Sequence, residues 1–315
     1  MIEERTPADS AGVVQAPLTV RQALELATRR LTHVGIERGA LDASLLLAEA
    51  CGTDRLGIYT DPDRSLSASQ CRAFQDLLER RARREPVAYI LGRREFYGLD
   101  FGVTSDVLIP RPETELLVER AIAWIKARAP AHPQPLLADI GTGSGAIAAT
   151  VAHICRVGRW IATDVSAAAL EVARANAARH GVADRIDFRQ GHLLEPIGET
   201  LDGLCSNAPY VAERDRDSLE PEITVWEPPE ALFSGPDGLD HIRELIACAP
   251  ARLRLGGLFL TECGQGQAES ILRLLAEDGR YSPGRVHHDD AGIGRVIEAE
   301  CTQASRRRRG SLPPS

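Results

Sequence analysis

Leu136-Leu137-Ala138-Asp139-Ile140-Gly141-Thr142-Gly143-Ser144-Gly145 decides how the rest of the chain is read. Five residues of an apolar strand run straight into three glycines spaced one apart, and the helix-forming run Ala146 to Ala152 follows. Glycines at a strand-to-helix turn let the backbone approach a ligand closely, because no Cβ stands in the way. The next apolar stretch, Trp160-Ile161-Ala162-Thr163-Asp164-Val165, carries an acid 23 positions after Gly141. That is close to the offset of about 20 residues at which a carboxylate grips a ribose diol. The glycine pattern is G-x-G-x-G, not the G-x-G-x-x-G of dinucleotide-binding proteins, so the order strand, loop, helix, strand, acid carries the inference.

Working outward, the alternation continues toward the C-terminus. Ala167 to Arg179 reads as a helix, Arg185 to Arg189 as a strand and Asp202 to Ser206 as the strand that stops at Asn207. Leu239 to Ala249 is a helix, Gly257 to Glu262 a strand and Gln267 to Glu277 a helix, before the strand pair Arg285 to Asp289 and Arg295 to Glu300. Alternating strands and helices imply a mainly parallel sheet covered on both faces, and the closing strand pair implies one antiparallel strand. The expected fold is therefore α/β and Rossmann-like. Ligands bind at the carboxyl ends of strands in such sheets. This directs attention to Asn207-Ala208-Pro209-Tyr210, where an Asn, a stiff turn and an aromatic ring could hold a flat amino group.

Toward the N-terminus the pattern is helical. Thr19 can cap a helix with Ala23, Leu24, Ala27 and Leu31 at helical spacing; Leu41 to Cys51 is a second helix ended by Gly52; Ala68 to Arg84 is a third, after Ser67 and closed by Pro86. The cluster Arg80-Arg81-Ala82-Arg83-Arg84 is either solvated charge near a helix C-terminus or part of a docking surface for an acidic or RNA-containing partner. Glu95 to Val103 alternates around glycines like a hairpin. In Ile109-Pro110-Arg111-Pro112-Glu113-Thr114-Glu115 two prolines around an arginine make a stiff loop, and Thr114 or Glu113 starts the helix Leu116 to Ala127. Its rigid and charged residues favour a loop lying over an active site above a plain linker. The domain boundaries expected are a disordered tail over 1–17, a helical domain over 18–92, a hairpin and linker over 93–110, a catalytic domain over 111–303 and a disordered basic tail over 304–315.

Composition bounds the function. There are 37 basic and 45 acidic residues, a net charge of −8, which speaks against a mainly electrostatic nucleic-acid binder. Seven cysteines without a C-x-x-C pair suggest reduced thiols in a cytoplasmic protein, and no metal site is expected. The N-terminus lacks a signal-peptide pattern and no apolar run reaches the roughly 18 to 20 residues that span a bilayer, so no membrane partner is expected. Aromatics make up only 4%, which leaves core filling to aliphatic side chains and alanine.

The segments Glu95-Phe96-Tyr97-Gly98-Leu99, Ile109 to Glu115, Asp139 to Gly145 and Asn207-Ala208-Pro209-Tyr210 together resemble the protein-(glutamine-N5) methyltransferases that modify peptide-chain release factors. Glu227-Pro228, Ala231-Leu232-Phe233 and Gly238-Leu239-Asp240 are similar to the same pattern, and the resemblance spans roughly Leu18 to Glu300. It implies a class I S-adenosyl-L-methionine-dependent methyltransferase fold with a seven-stranded sheet and a small N-terminal helical domain that helps dock a protein substrate. By the same resemblance Gly141, Thr142, Gly143, Ser144 and Gly145 approach the methyl donor, Asp164 holds its ribose, and Asn207 belongs to the donor-binding residues as well as to the catalytic set Asn207, Ala208, Pro209 and Tyr210. His192 and Leu193 lie near the adenine, and Arg111, Pro112, Glu113 and Thr114 form the substrate loop.

The family motif has proline where this chain has Ala208, and an acid where it has His192, which is equally well an ordinary loop residue. For the chemistry, the Asn207 side-chain oxygen and the Ala208 carbonyl are candidate acceptors for the two N–H groups of the substrate amide, with Tyr210 stacked on its plane and the donor site two strands away. Other readings are the same chemistry on a different protein or a small amide, an adenine-N6 methyltransferase, and a binding module with a degenerate methyltransferase fold.

Overall fold

The computed structural model describes residues 18–128 and 131–303. The expectations for 1–17 and 304–315 lie outside the described residues. The chain divides into two units, Met1–Leu91 and Gly92–Ser315.

In the first unit, α1 (Val20–His33) starts at a reciprocal cap: the Thr19 hydroxyl accepts the Gln22 N–H at 3.3 Å and the Gln22 side chain accepts the Thr19 N–H at 3.0 Å. Two orphan donors are thereby satisfied, a contribution of about 1 kcal/mol. Next come α2 (Gly39–Cys51), starting two residues earlier than its periodicity suggests, then the unforeseen short helix α3 (Arg55–Thr60) and α4 (Ala68–Ala82), capped by Ser67 and Gln70 in the same way. A further short helix, α5 (Val87–Leu91), closes the unit. Val20, Leu31, Leu46, Leu47, Ile58 and Phe74 form its core, with Leu24 only half-buried beside it.

Most of the arginine cluster is tied into the helical unit, while Arg83 stays exposed. Arg81 is buried, its Nε 2.7 Å from the Asp42 carboxylate of α2 and its Nη1 on the Glu85 carbonyl. Arg80 pairs with Glu85, and Arg84 donates to the Val34 and Gly35 carbonyls. Two of these arginines take the C-terminal carbonyls or acids of neighbouring turns, and the third closes a buried ion pair that holds α4 on α2.

The second unit opens with the antiparallel hairpin β1 (Arg93–Phe96) and β2 (Leu99–Gly102), followed by α6 (Thr114–Arg128). Then β3 (Leu136–Ile140), α7 (Ala146–Cys155), β4 (Arg159–Asp164), α8 (Ala167–Arg179), β5 (Ile186–Gln190) and β6 (Leu201–Ser206) alternate as the hydrophobic pattern requires. The short helix α9 (Pro221–Trp226) precedes α10 (Asp240–Cys248), β7 (Leu253–Glu262), α11 (Ala268–Asp278), β8 (Arg285–His288) and β9 (Gly294–Glu300). β7 begins four residues before the expected Gly257, and β4 ends at Asp164, leaving Val165 outside.

Seven strands form one sheet in the order β5-β4-β3-β6-β7-β9-β8, and β9 alone runs antiparallel to its neighbours. Successive side chains point to opposite faces. In β3, Leu137 therefore joins the core against α6 and α7 while Ala138 joins the core against α10 and α11.

The register positions the site. Ile140 pairs with Thr163 on one side and Ser206 on the other, and Ser206 pairs with Thr261. The residues next along each strand are Asp164, Gly141, Asn207 and Glu262, set in one row at the carboxyl edge. Connections leave β3 in opposite directions, to β4 and eventually to β6, which makes this edge the topological switch point. β6 lies directly beside β3, so the Asn207 turn and the glycine loop are neighbours, not two strands apart: sequence order does not give strand order.

Candidate active site

A cavity of about 1020 Å³, its open mouth included, sits on that edge. Gly141, Thr142, Gly143, Ser144, Asp164 and His192 line one part of it. Leu193, Arg111, Thr114, Asn207, Ala208 and Pro209 line the rest. Of the residues singled out by sequence, Pro112, Glu113, Gly145 and Tyr210 are not among those lining it.

The glycine loop is held by its own amides. Gly141 and Thr142 both donate to the Thr163 carbonyl at 2.9 Å, Gly145 donates to the Thr142 carbonyl at 2.8 Å, and Gly143 donates to Asp164 Oδ2 at 2.9 Å. Gly141, Thr142 and Gly143 spend their N–H groups on β4 and Gly145 spends its own inside the loop, so these four are not free to bind a phosphate. What it offers is room: Gly141 and Gly143 have φ of +70° and +53°, and a Cβ built on either meets nothing within 4 Å. Asp139 sits beneath the loop, fully buried, accepting from the Thr142 hydroxyl at 2.7 Å and the Ala148 N–H at 3.1 Å. Burial raises its carboxyl to about 6, against the opposing pull of those two donors. Asp164 is raised by burial too, while its Oδ1 accepts the Ser166 N–H at 2.9 Å. A cavity with the acids Asp106, Asp164 and Glu230 on its wall suits a cationic nucleoside better than a pyrophosphate.

On the far side of Asp164, the Gly191 N–H donates to the Asp164 carbonyl and the Thr163 hydroxyl to the Leu193 carbonyl. These bonds bring His192 and Leu193 to the cavity wall. His192 Nε2 lies 2.9 Å from Glu244, and its ring is 6.2 Å from that of His241.

Asn207 follows β6. Its Nδ2 donates to the Thr114 hydroxyl at 3.0 Å, which leaves Oδ1 as the acceptor of the side chain. Thr114, at the start of α6, is 4% exposed. Tyr210 turns away from the cavity, its hydroxyl donating to Glu262 Oε1 at 3.2 Å. Glu262 is the last residue of β7 and 1% exposed. Burial raises its carboxyl to about 7 although Thr114 and Tyr210 favour its charge. The Tyr210 hydroxyl is in turn pushed above its ordinary range by burial and by the neighbouring Glu262. The backbone after the turn is clamped from outside: Gln267 Nε2 donates to the Tyr210 carbonyl at 2.9 Å, and Gln267 Oε1 accepts the Gly264 N–H at 2.8 Å. Gly238, at φ +78°, passes so close that a Cβ would come within 2.2 Å of the Tyr210 carbonyl.

The Pro-Arg-Pro loop is tied down as its stiffness suggests. Arg111 Nη2 donates to both Glu227 carboxylate oxygens at 2.7 Å, and burial still raises that carboxyl above its ordinary value. The Tyr97 N–H donates to Glu115 at 3.0 Å, fastening the hairpin to the same loop. Asn176 bridges the other side, with its Oδ1 on the Gly102 N–H and its Nδ2 on the carbonyls of Gly102 and Ser144.

Sequence reading missed Glu262, Gln267, Asn176 and the Arg111–Glu227 pairing. Only Glu262 carried a signal: like Asp164, it is an acid ending an apolar strand. Among the described residues no group of three or more His, Cys, Asp or Glu side chains is arranged to hold a metal. No helix of the described residues is long and apolar enough to cross a membrane, and none of the seven cysteines is disulfide-bonded.

Comparison with known proteins adds to this geometry. Residues 22–92 match the PrmC N-terminal domain family model, and residues 125–235 match the methyltransferase small domain. The release factor glutamine methyltransferase of Geobacter sulfurreducens is 40% identical over 280 residues, which cover 89% of this chain and 95% of that protein. That of Xylella fastidiosa strain Temecula1 is 43% identical over 257 residues, 81% of this chain and 89% of that protein. Among solved structures, the hMettl16 catalytic domain in complex with MAT2A 3'UTR hairpin 6 superposes with a TM-score of 0.52 at 18% identity, over 76% of this chain and 84% of that one. The last likeness is one of fold alone.

Proposed function

This chain belongs to the release factor glutamine methyltransferase family, and from that premise we propose that it transfers a methyl group from S-adenosyl-L-methionine to the side-chain nitrogen (N5) of a glutamine in a peptide-chain release factor. The observation that carries the reading is the row Asp164, Gly141, Asn207 on adjacent strand ends, opening into one cavity. Gly141 to Ser144, Asp164, His192 and Leu193 hold the donor, whose sulfonium supplies an already activated methyl group. The acids on the cavity wall complement that positive charge.

The work left to the protein is alignment and placing acceptors where charge develops. An amide nitrogen is a weak nucleophile because its lone pair is delocalised into the carbonyl. Asn207 Oδ1 and the Ala208 carbonyl accept its two N–H groups and favour the pyramidal nitrogen of the reacting state. Pro209 biases residue 208 to an extended backbone and so keeps the second acceptor in place. Arg111, locked on Glu227, fixes the loop beside the entrance. The Tyr210 ring supports the turn from behind instead of stacking openly in the cavity. The helical unit recognises the protein substrate, and the reaction takes place in the cytoplasm with no nucleic-acid specificity.

The test is incubation with labelled S-adenosyl-L-methionine and, in turn, a release factor, unrelated proteins and DNA, with the modified residue mapped by mass spectrometry. Label on one glutamine side chain of the release factor is the expected result. Label on adenine, or on a different protein only, overturns it.

A further inference from the structure

His241 lines the cavity and has no place in the chemistry above. It is the second residue of α10, and its ring lies 6.2 Å from that of His192 on the same cavity wall. One ring nitrogen is spent: Nδ1 is 2.8 Å from the Ser234 hydroxyl, and the His241 backbone N–H donates to the same oxygen at 2.9 Å. Nε2 makes no hydrogen bond among the described residues and is not sealed from solvent.

The tautomer follows from the serine. Ser234 is 1% exposed. A hydroxyl carries one proton and two lone pairs, and a buried one that donates to nothing is costly. One lone pair of Ser234 Oγ takes the His241 backbone N–H, and among the described residues the acceptor within reach of its proton is Nδ1. Nδ1 therefore carries no hydrogen, and the neutral ring holds its proton on Nε2. Burial and the neighbouring His192 lower the pKa of His241 against the pull of Glu244 and Asp240, which favours the neutral ring. The cavity wall thus carries one uncharged N–H donor of fixed orientation.

That donor needs an acceptor in the ligand. The amino group of the base is itself a donor and the sulfonium is a cation, so neither serves. Bonds from the Gly191 N–H to the Asp164 carbonyl and from the Thr163 hydroxyl to the Leu193 carbonyl set the His192 wall directly beside the acid expected to hold the ribose. Val165, Leu193, Pro228 and Ala231 add apolar surface to the same cavity, which suits the faces of a flat ring.

We propose that His241 binds the base of the methyl donor: its Nε2–H donates to a ring nitrogen of the adenine, and Ser234 holds the tautomer that makes this possible. The inference rests on the reading of the cavity as the S-adenosyl-L-methionine site.

The experiment measures, by calorimetry on the full chain, the Kd of S-adenosyl-L-homocysteine and of its 1-deaza, 3-deaza and 7-deaza analogues, each with one ring nitrogen replaced by C–H. In the wild type one analogue binds about 3- to 10-fold more weakly than the parent, the range of one neutral hydrogen bond. In His241→Phe the parent weakens by a similar factor and its advantage over that analogue disappears. In His192→Ala the advantage persists. Ring ¹⁵N NMR reads the tautomer without reference to affinity. In the free wild type Nε2 of His241 is the protonated nitrogen, and its signal moves on adding S-adenosyl-L-homocysteine but much less with the weak analogue. These signals come from the wild type and decide both tautomer and contact even where His241→Phe does not fold.

Equal binding of all three analogues and the parent, a loss that survives His241→Phe, or a free wild type protonated at Nδ1 overturns the assignment while the donor site stands. A wild type that binds neither S-adenosyl-L-methionine nor S-adenosyl-L-homocysteine overturns the reading of the cavity, and the assignment with it.

Discussion

The glycine loop after β3 and the Asn207 turn after β6 sit side by side on the same sheet edge, yet they are built on opposite principles. The loop is local. Its amides bond to the adjacent strand β4, and its contribution to the cavity is the absence of side chains at Gly141 and Gly143. The turn is assembled at long range: Thr114 reaches Asn207 from 93 positions earlier in the chain, Glu262 reaches Tyr210 from 52 positions later, and Gln267 holds its carbonyl from 57. The loop is held by backbone, and the turn by side chains that converge from α6, from the end of β7 and from the residue before α11.

That contrast gives ways to break it. The largest expected effect is on the turn: Asn207→Ala lowers kcat by about 10²–10³-fold, the range seen when one preorganised group of this kind is removed. Donor affinity by calorimetry should move less than about threefold; equal losses in both would mean that the two regions are not separable. Next is the anchoring of the loop over the cavity. Arg111→Ala leaves Glu227 buried without its cation and should cost about 3 kcal/mol in urea denaturation, with Glu227→Gln milder.

The third prediction concerns Glu262. Its carboxyl titrates at about 7 in the folded protein against an ordinary 4.5. The folded state therefore binds that proton more tightly, so the stabilisation is complete below pH 4.5 and lost as pH rises to about 7. Glu262→Gln, which cannot ionise, should gain up to about 3 kcal/mol on the wild type between pH 5 and pH 8. A difference that does not change with pH would show that the carboxyl is not held neutral by burial.

Fourth is the local region. Asp164→Asn should raise the donor Kd about 10- to 30-fold, the loss of roughly 1.4–2 kcal/mol expected for a hydrogen bond to a charged group, while kcat at saturating donor barely changes. The smallest effect is Ala208→Pro, which restores a φ constraint worth about 0.4–1 kcal/mol. It should change kcat less than about fivefold.

The same contrast explains what sequence made legible. The succession of strands and helices along the chain, the glycine loop and Asp164 announce themselves because each is a short contiguous pattern whose physics is local. α8 is bounded by sequence as it is in the structure, Ala167–Arg179, since Ser166 caps it and the apolar spacing is regular. Asn207 was visible as a polar residue ending an apolar strand, but its partners were not. Thr114 reads as a helix start, and Gln267 as the first residue of a helix, where the structure makes it the residue just before Ala268. The adjacency of β3 and β6 depends on a crossover that no short window contains. The buried Arg81–Asp42 pair was equally hidden, because a run of arginines has the same composition whether its members face water or a carboxylate 39 positions away. Short helices such as α3 and α9 have too few turns for periodicity to register.

The clamp behind the turn bears on how this chain tolerates change. At residue 208 the chain carries alanine, so no pyrrolidine ring fixes φ at the first position of the turn. The Gln267 amide and the close passage of Gly238, neither of which lines the cavity, hold the Tyr210 carbonyl from outside. A change at Gly238 or Gln267 would therefore loosen the turn while every residue of the motif itself stayed intact.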